Sequence, residues 1–149
     1  GKHYKLEQVI AVEVEETRAL LCQQNMQRHG VDNKVQVIHG DSMEVLPRLA
    51  RQRQQEGEPC IVVVDPPWGG KHYKLEQPPI QLGKWTMAQV IQSILTHLSP
   101  CLMGVRYPIT FDVSEWEAEL RGLQIDHKIL SIRKLGPQLF VVLAMTGLH

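Results

Sequence analysis

An unbroken apolar run, Cys60-Ile61-Val62-Val63-Val64, passes without a spacer into Asp65-Pro66-Pro67-Trp68. A short β-branched run of this kind reads as a strand buried on both faces, because it offers no polar position to solvent. The two prolines fix φ and hold the residues before them extended, so carbonyls with no ladder partner can face a ligand. An acid before the prolines and an aromatic after them place an acceptor and a flat apolar plate around one planar ring. Chance supplies roughly 0.004 such tetrapeptides in a chain this long, with proline at about 5 % and each flanking class at about a tenth. The run therefore predicts a buried strand with chemistry at its carboxyl end.

The rest of the chain supplies the units around it. Val9-Ile10-Ala11-Val12-Glu13-Val14 is a second buried strand ending in acid, followed by a helix with Ala19, Cys22 and Met26 on one side and Gly30 at its close. Lys34–His39 alternates as a strand, and Gly40-Asp41-Ser42 gives a turn and a helix N-cap. The helix over Met43–Leu49 is expected to kink or restart at Pro47. Arg51–Glu58 reads as a solvated helix end and loop, and Lys71–Gly83 as a long polar loop. Thr86-Met87-Ala88-Gln89 has the form of a capping box before an amphipathic helix carrying Met87, Val90, Ile91, Ile94, Leu95 and Leu98. Cys101–Val105 is a strand and Ser114–Leu120 a helix. Gln124–Lys134 and Gln138–Met145 form a hairpin across Leu135-Gly136-Pro137. The order β-α-β-α-β-α-β-α-β-β predicts an α/β fold: a doubly wound, mainly parallel sheet closed by a C-terminal antiparallel hairpin. Ligands of such sheets gather at the carboxyl ends of the strands.

The 149 residues are expected to make one domain. Sixteen Lys and Arg balance sixteen Asp and Glu, which argues against broad wrapping of nucleic acid and leaves a small charged ligand or the tip of an RNA. No apolar run approaches the length of a membrane span. The three cysteines, Cys22, Cys60 and Cys101, lie far apart without a CxxC spacing. That pattern argues for reduced, intracellular thiols and against a zinc site. GKHYKLEQ stands at both 1–8 and 70–77. A duplicate with no similarity on either side is no fold-forming repeat, so the first copy is set apart as an artefact of assembly.

The chemistry that suits Asp65-Pro66-Pro67-Trp68 is methylation of an exocyclic amine on a base. The lone pair of such a nitrogen is delocalised into the ring and is a poor nucleophile. The Asp65 carboxylate and the Pro66 carbonyl can hold its two hydrogens and favour a tetrahedral nitrogen, and orientation of this kind lowers a barrier. The tetrapeptide resembles the motif of amino-group methyltransferases that use S-adenosylmethionine. Its extension to DPPWGG, with Tyr73-Lys74 and Leu82-Gly83 beyond, is similar to the trimethylguanosine synthase family, the RNA cap guanine-N2 methyltransferases. Val9–Glu16 resembles that family's second strand with its acidic end, Asn25 falls on the following helix, and Gly40-Asp41 resembles its GD turn.

The resemblance implies a Rossmann-like class I methyltransferase. Its site residues would be Glu13 on the cofactor ribose, Asp41 with Ser42 at the adenine, and Asp65 with Pro66 at the target N2. Pro67 and Trp68 would lie against 7-methylguanine, whose positive charge strengthens aromatic stacking. Asn25 would touch a base edge, and the loop carrying Lys71, Tyr73 and Lys74 would meet the cap triphosphate. The partner implied is 7-methylguanosine-capped RNA, and the location implied is the nucleus. The chain departs from the family where a first strand and an acidic, glycine-rich cofactor loop belong, between the strands at Val9 and Ile61. Without that strand two central edges stay unpaired. Simpler roles stay open beside these: Glu13 as a solvated strand end, Asp41 as an N-cap, Asn25 as a surface residue. So do two other functions, an adenine-N6 or other guanine-N2 methyltransferase on DNA or RNA, and an inactive binding module or fragment.

Overall fold

The computed structural model describes residues 8–53, 59–67 and 80–145. Two compact units divide the chain, Gly1–Arg48 and Leu49–His149.

In the first unit, strands β1 (Val9–Glu13) and β2 (Val35–His39) pair in parallel, with Val9 opposite Val35 and Glu13 opposite His39. Helix α1 (Glu16–Arg28) crosses between them and buries Ala19. Gly30 follows at φ 66°, the left-handed conformation that ends a helix without a Cβ penalty. Helix α2 (Ser42–Arg53) begins in this unit and ends in the second. The restart expected at Pro47 does not occur, since α2 continues through it as one helix, and Val45, Leu46 and Leu49 are buried around it.

The second unit is built on a four-stranded sheet in the order β3-β6-β8-β7, with β3 at Ile61–Val64, β6 at Leu102–Pro108, β7 at His127–Leu135 and β8 at Gln138–Met145. β3 and β6 are parallel, whereas β8 runs antiparallel to both β6 and β7. The β7–β8 hairpin turns at Gly136, φ 61°. In β6 and β8 one face is buried: Met103 opposes Leu143, Val105 opposes Val141 and Tyr107 opposes Leu139. The apolar faces of α3 (Met87–Leu98) and α4 (Val113–Gly122) complete that core with Ile91, Ile94, Leu95, Trp116 and Leu120. The capping box at the head of α3 forms as expected, with Thr86 and Gln89 exchanging side-chain and backbone bonds. Tyr107 stacks on Phe111 at 3.7 Å between centroids, and Trp116 meets Tyr107 edge-on at 5.2 Å. The His127 side chain is only 3 % accessible. Its Nδ1 lies 2.9 Å from the Ile125 carbonyl oxygen and its Nε2 3.4 Å from Glu117 Oε1.

The expected α/β elements form: among the described residues β1 pairs in parallel with β2 and β3 with β6, β1 and β3 each keep an open edge, and the chain closes in the antiparallel hairpin. One expectation needs correction. The run at Cys60–Val64 forms its strand but is not buried on both faces. Val64 is buried, whereas Ile61 and Val63 remain 60 % and 64 % exposed. Within the loop expected up to Gly83, a small hairpin forms from β4 (Gln81–Leu82) and β5 (Trp85–Thr86), with Gly83 at φ 61°. No helix among the described residues is long and apolar enough to cross a membrane.

Candidate active site

Asp65 is the first residue past β3, and Pro66 and Pro67 follow it. Alternation along the strand buries Val64 and leaves Asp65 on the face carrying Ile61 and Val63. The parallel register ends at Val64 opposite Val105, so the next step sets Asp65 against Arg106 of β6. Their side chains meet as a fork. Arg106 Nε donates to Asp65 Oδ1 at 2.7 Å, and Nη2 donates to Oδ2 at 2.5 Å. The pair is half open to solvent, with 49 % of the Asp65 side chain and 42 % of the Arg106 side chain accessible. Two-point pairing fixes the carboxylate plane as one contact does not. Pro66 is buried and Pro67 exposed, which continues the alternation of β3 past its end.

The first unit carries its own carboxylates at the carboxyl ends of its strands. Glu13 closes β1, and its Oε1 accepts the backbone N–H of Glu15 at 3.0 Å. Asp41 stands two residues past the end of β2, which the register places at the same end of the pair as Glu13. Its Oδ1 accepts the N–H of Met43 at 2.8 Å, and its carbonyl accepts from Glu44 and Val45. Asp41 is thus the N-cap of α2, with Ser42 the half-buried first residue of that helix. Each carboxylate keeps its second oxygen for a ligand. That acceptor set fits the adenosine half of a nucleoside cofactor, whose ribose hydroxyls and adenine amine can all donate. Asn25 lies exposed on α1.

Trp68, Lys71, Tyr73 and Lys74 lie outside the described residues, as does His72. Sequence reasoning missed Arg106. The one signal available was a charged residue inside an otherwise apolar strand, Leu102-Met103-Gly104-Val105-Arg106-Tyr107. Trp85 is half-buried in β5, with Lys84 Nζ 5.2 Å from its ring centroid.

A model of the family described as RNA cap guanine-N2 methyltransferase matches residues 2–97. Among curated proteins nothing matches. Several solved structures share the fold. A conserved hypothetical protein from Streptococcus pyogenes is 12 % identical with a TM-score of 0.62, the match covering 96 % of this chain and 74 % of that one. The METTL16 methyltransferase domain is 16 % identical with a TM-score of 0.59, over 93 % of this chain and 50 % of that one. A human methyltransferase 10 domain containing protein is 11 % identical with a TM-score of 0.55, over 93 % and 59 %. At these identities the likeness is one of fold, the Rossmann-like α/β fold of class I methyltransferases. The chain spans between 50 % and 74 % of the length of these three.

Proposed function

The chain belongs to the RNA cap guanine-N2 methyltransferase family, whose methyl donor is S-adenosylmethionine, and we propose that it methylates the exocyclic N2 of 7-methylguanosine in an RNA cap. The observation that carries this reading is the position of Asp65. Its half-exposed carboxylate stands immediately beyond the carboxyl end of β3, where the strand gives way to Pro66 and Pro67. S-adenosylmethionine supplies a methyl group on a sulfonium, which leaves as a neutral thioether when the N2 lone pair takes the methyl and the nitrogen sheds a proton.

The protein's part is to bind and orient. Asp65 and the Pro66 carbonyl accept the two N2 hydrogens, favouring a tetrahedral nitrogen whose lone pair is less delocalised into the ring. Glu13 accepts from the ribose hydroxyls, and Asp41, beside Ser42, accepts from the adenine amine. Trp68, after Pro67, stacks on the cationic 7-methylguanine ring. Lys71 and Lys74, with Tyr73 between them, meet the cap phosphates, which lets a protein of zero net charge take a polyanionic ligand. Asn25 contacts a base edge.

The test is tryptophan fluorescence on titration with 7-methyl-GTP, with GTP and ATP as controls. Saturable quenching by the methylated nucleotide alone is expected. Equal quenching by all three, or by none, would overturn the cap reading in favour of an adenine methyltransferase or an inactive binding module.

A further inference from the structure

We propose that Arg106 is the positioning residue for the Asp65 carboxylate, a role that rests on the reading of Asp65 as acceptor of the target amine. A carboxylate held at one point still turns about its Cβ–Cγ bond, and a turning acceptor cannot aim an amine. The two contacts from Nε and Nη2 lock that rotation. They occupy two of the roughly four lone-pair positions of the carboxylate, and the half-exposed side chain leaves the others open to a ligand.

The placement of the arginine supports the same role. β6 lies inside the sheet between β3 and β8, and every other residue from Met103 to Pro108 is buried. Arg106 is the sole charged residue of that strand, and it stands where the register meets the first residue beyond β3. A rigid strand on each side holds both partners, Asp65 through Val64 and Arg106 through Val105. A site built on such elements is held more closely than one on loops.

The experiment uses the full chain with Arg106→Gln and Arg106→Lys. It measures kcat and KM for methyl transfer to 7-methyl-GTP, together with the NMR signal of the Arg106 Nε–H. Arg106→Gln is expected to lower kcat by about 10²-fold, the scale of a small misplacement of a reacting group, while the KM for S-adenosylmethionine stays within about threefold. Arg106→Lys keeps the charge but not the fork, so it is expected to recover only part of the loss. The Nε–H signal is expected in the wild-type chain and to vanish in Asp65→Asn. Active wild type with unimpaired Arg106→Gln overturns this role alone, and full rescue by lysine overturns the fork as its basis. A missing Nε–H signal in the wild-type chain overturns the pair, whether or not any variant folds. No transfer by the wild-type chain, with the signal present, overturns the acceptor reading of Asp65 and this role with it.

Discussion

Gly104 and Phe140 give the sharpest test of the packing behind the Asp65–Arg106 pair. Phe140 opposes Arg106 in the β6–β8 register, and its ring lies over Gly104, two residues earlier on the same face. A methyl group at Gly104 would stand 2.5 Å from Phe140 Cζ and 3.3 Å from both Cε atoms. Carbon atoms in contact prefer about 3.5–4.0 Å, so Gly104→Ala forces the ring back by about 1 Å. Overpacking of this kind costs about 1–3 kcal/mol. The lost chain freedom of the unfolded state returns about 0.4–1 kcal/mol, for a net destabilisation of about 0–1.5 kcal/mol with the lower half of the overpacking cost. Phe140 is only half-buried, so the ring has room to retreat and the lower half of the overpacking range applies.

The assay is a double-mutant cycle by urea unfolding, followed through the emission of Trp116, which is buried in the same unit. In a Phe140→Ala background the clash is gone, and Gly104→Ala is expected to be neutral or stabilising by about 0.5 kcal/mol. The two substitutions together should therefore be less harmful than their sum by about 1–2 kcal/mol, the cost of the clash itself. Additivity within about 0.5 kcal/mol would refute the close approach of ring and glycine.

Two further predictions separate structural from ligand-binding roles. Asp41→Ala removes the α2 cap and is expected to cost about 0.5–2 kcal/mol, whereas Asp41→Asn keeps the cap. The single amide oxygen of asparagine then serves Met43 and its NH2 meets the adenine amine donor-to-donor. Calorimetry should show weaker binding of S-adenosylhomocysteine with unchanged stability, and wild-type binding by Asp41→Asn would remove Asp41 from the cofactor site. Burial, with the Glu119 carboxylate adding to it, pushes the ionisation of Tyr107 well above the ordinary 10.0. The unfolded chain therefore loses this proton first, and stability is fully present below about pH 10 and falls as pH rises beyond it. The Tyr107 hydroxyl is buried without a hydrogen-bond partner among the described residues. Tyr107→Phe should thus be neutral or mildly stabilising at pH 7 and should flatten the alkaline fall, as read by unfolding at pH 8 to 11.

The features legible in the sequence are those whose cause lies within a few residues. The Thr86–Gln89 capping box, the Asp41 N-cap and the hairpin turn at Gly136 each depend on neighbours two to four positions away. The order of strands and helices followed from the same local periods. Burial of β3 was misjudged for a different reason. A run of valines records a preference for cover on both faces of a strand, not which elements supply it, and Ile61 and Val63 are exposed among the described residues.

Asp65 combines both situations. Its identity as an acceptor at a strand end was readable from the prolines that follow it. Its orientation was not, because the partner that sets it lies 41 positions away and is reached only through the β3–β6 register. That register depends on which strands pair after the crossover through α3, a tertiary outcome with no local signature. A lone arginine in an apolar strand was the only trace it left in the sequence. The acceptor and the residue that aims it are thus specified at different levels, the first by a tetrapeptide and the second by sheet topology. A substitution in β6 should therefore disturb transfer while Asp65-Pro66-Pro67 remains intact.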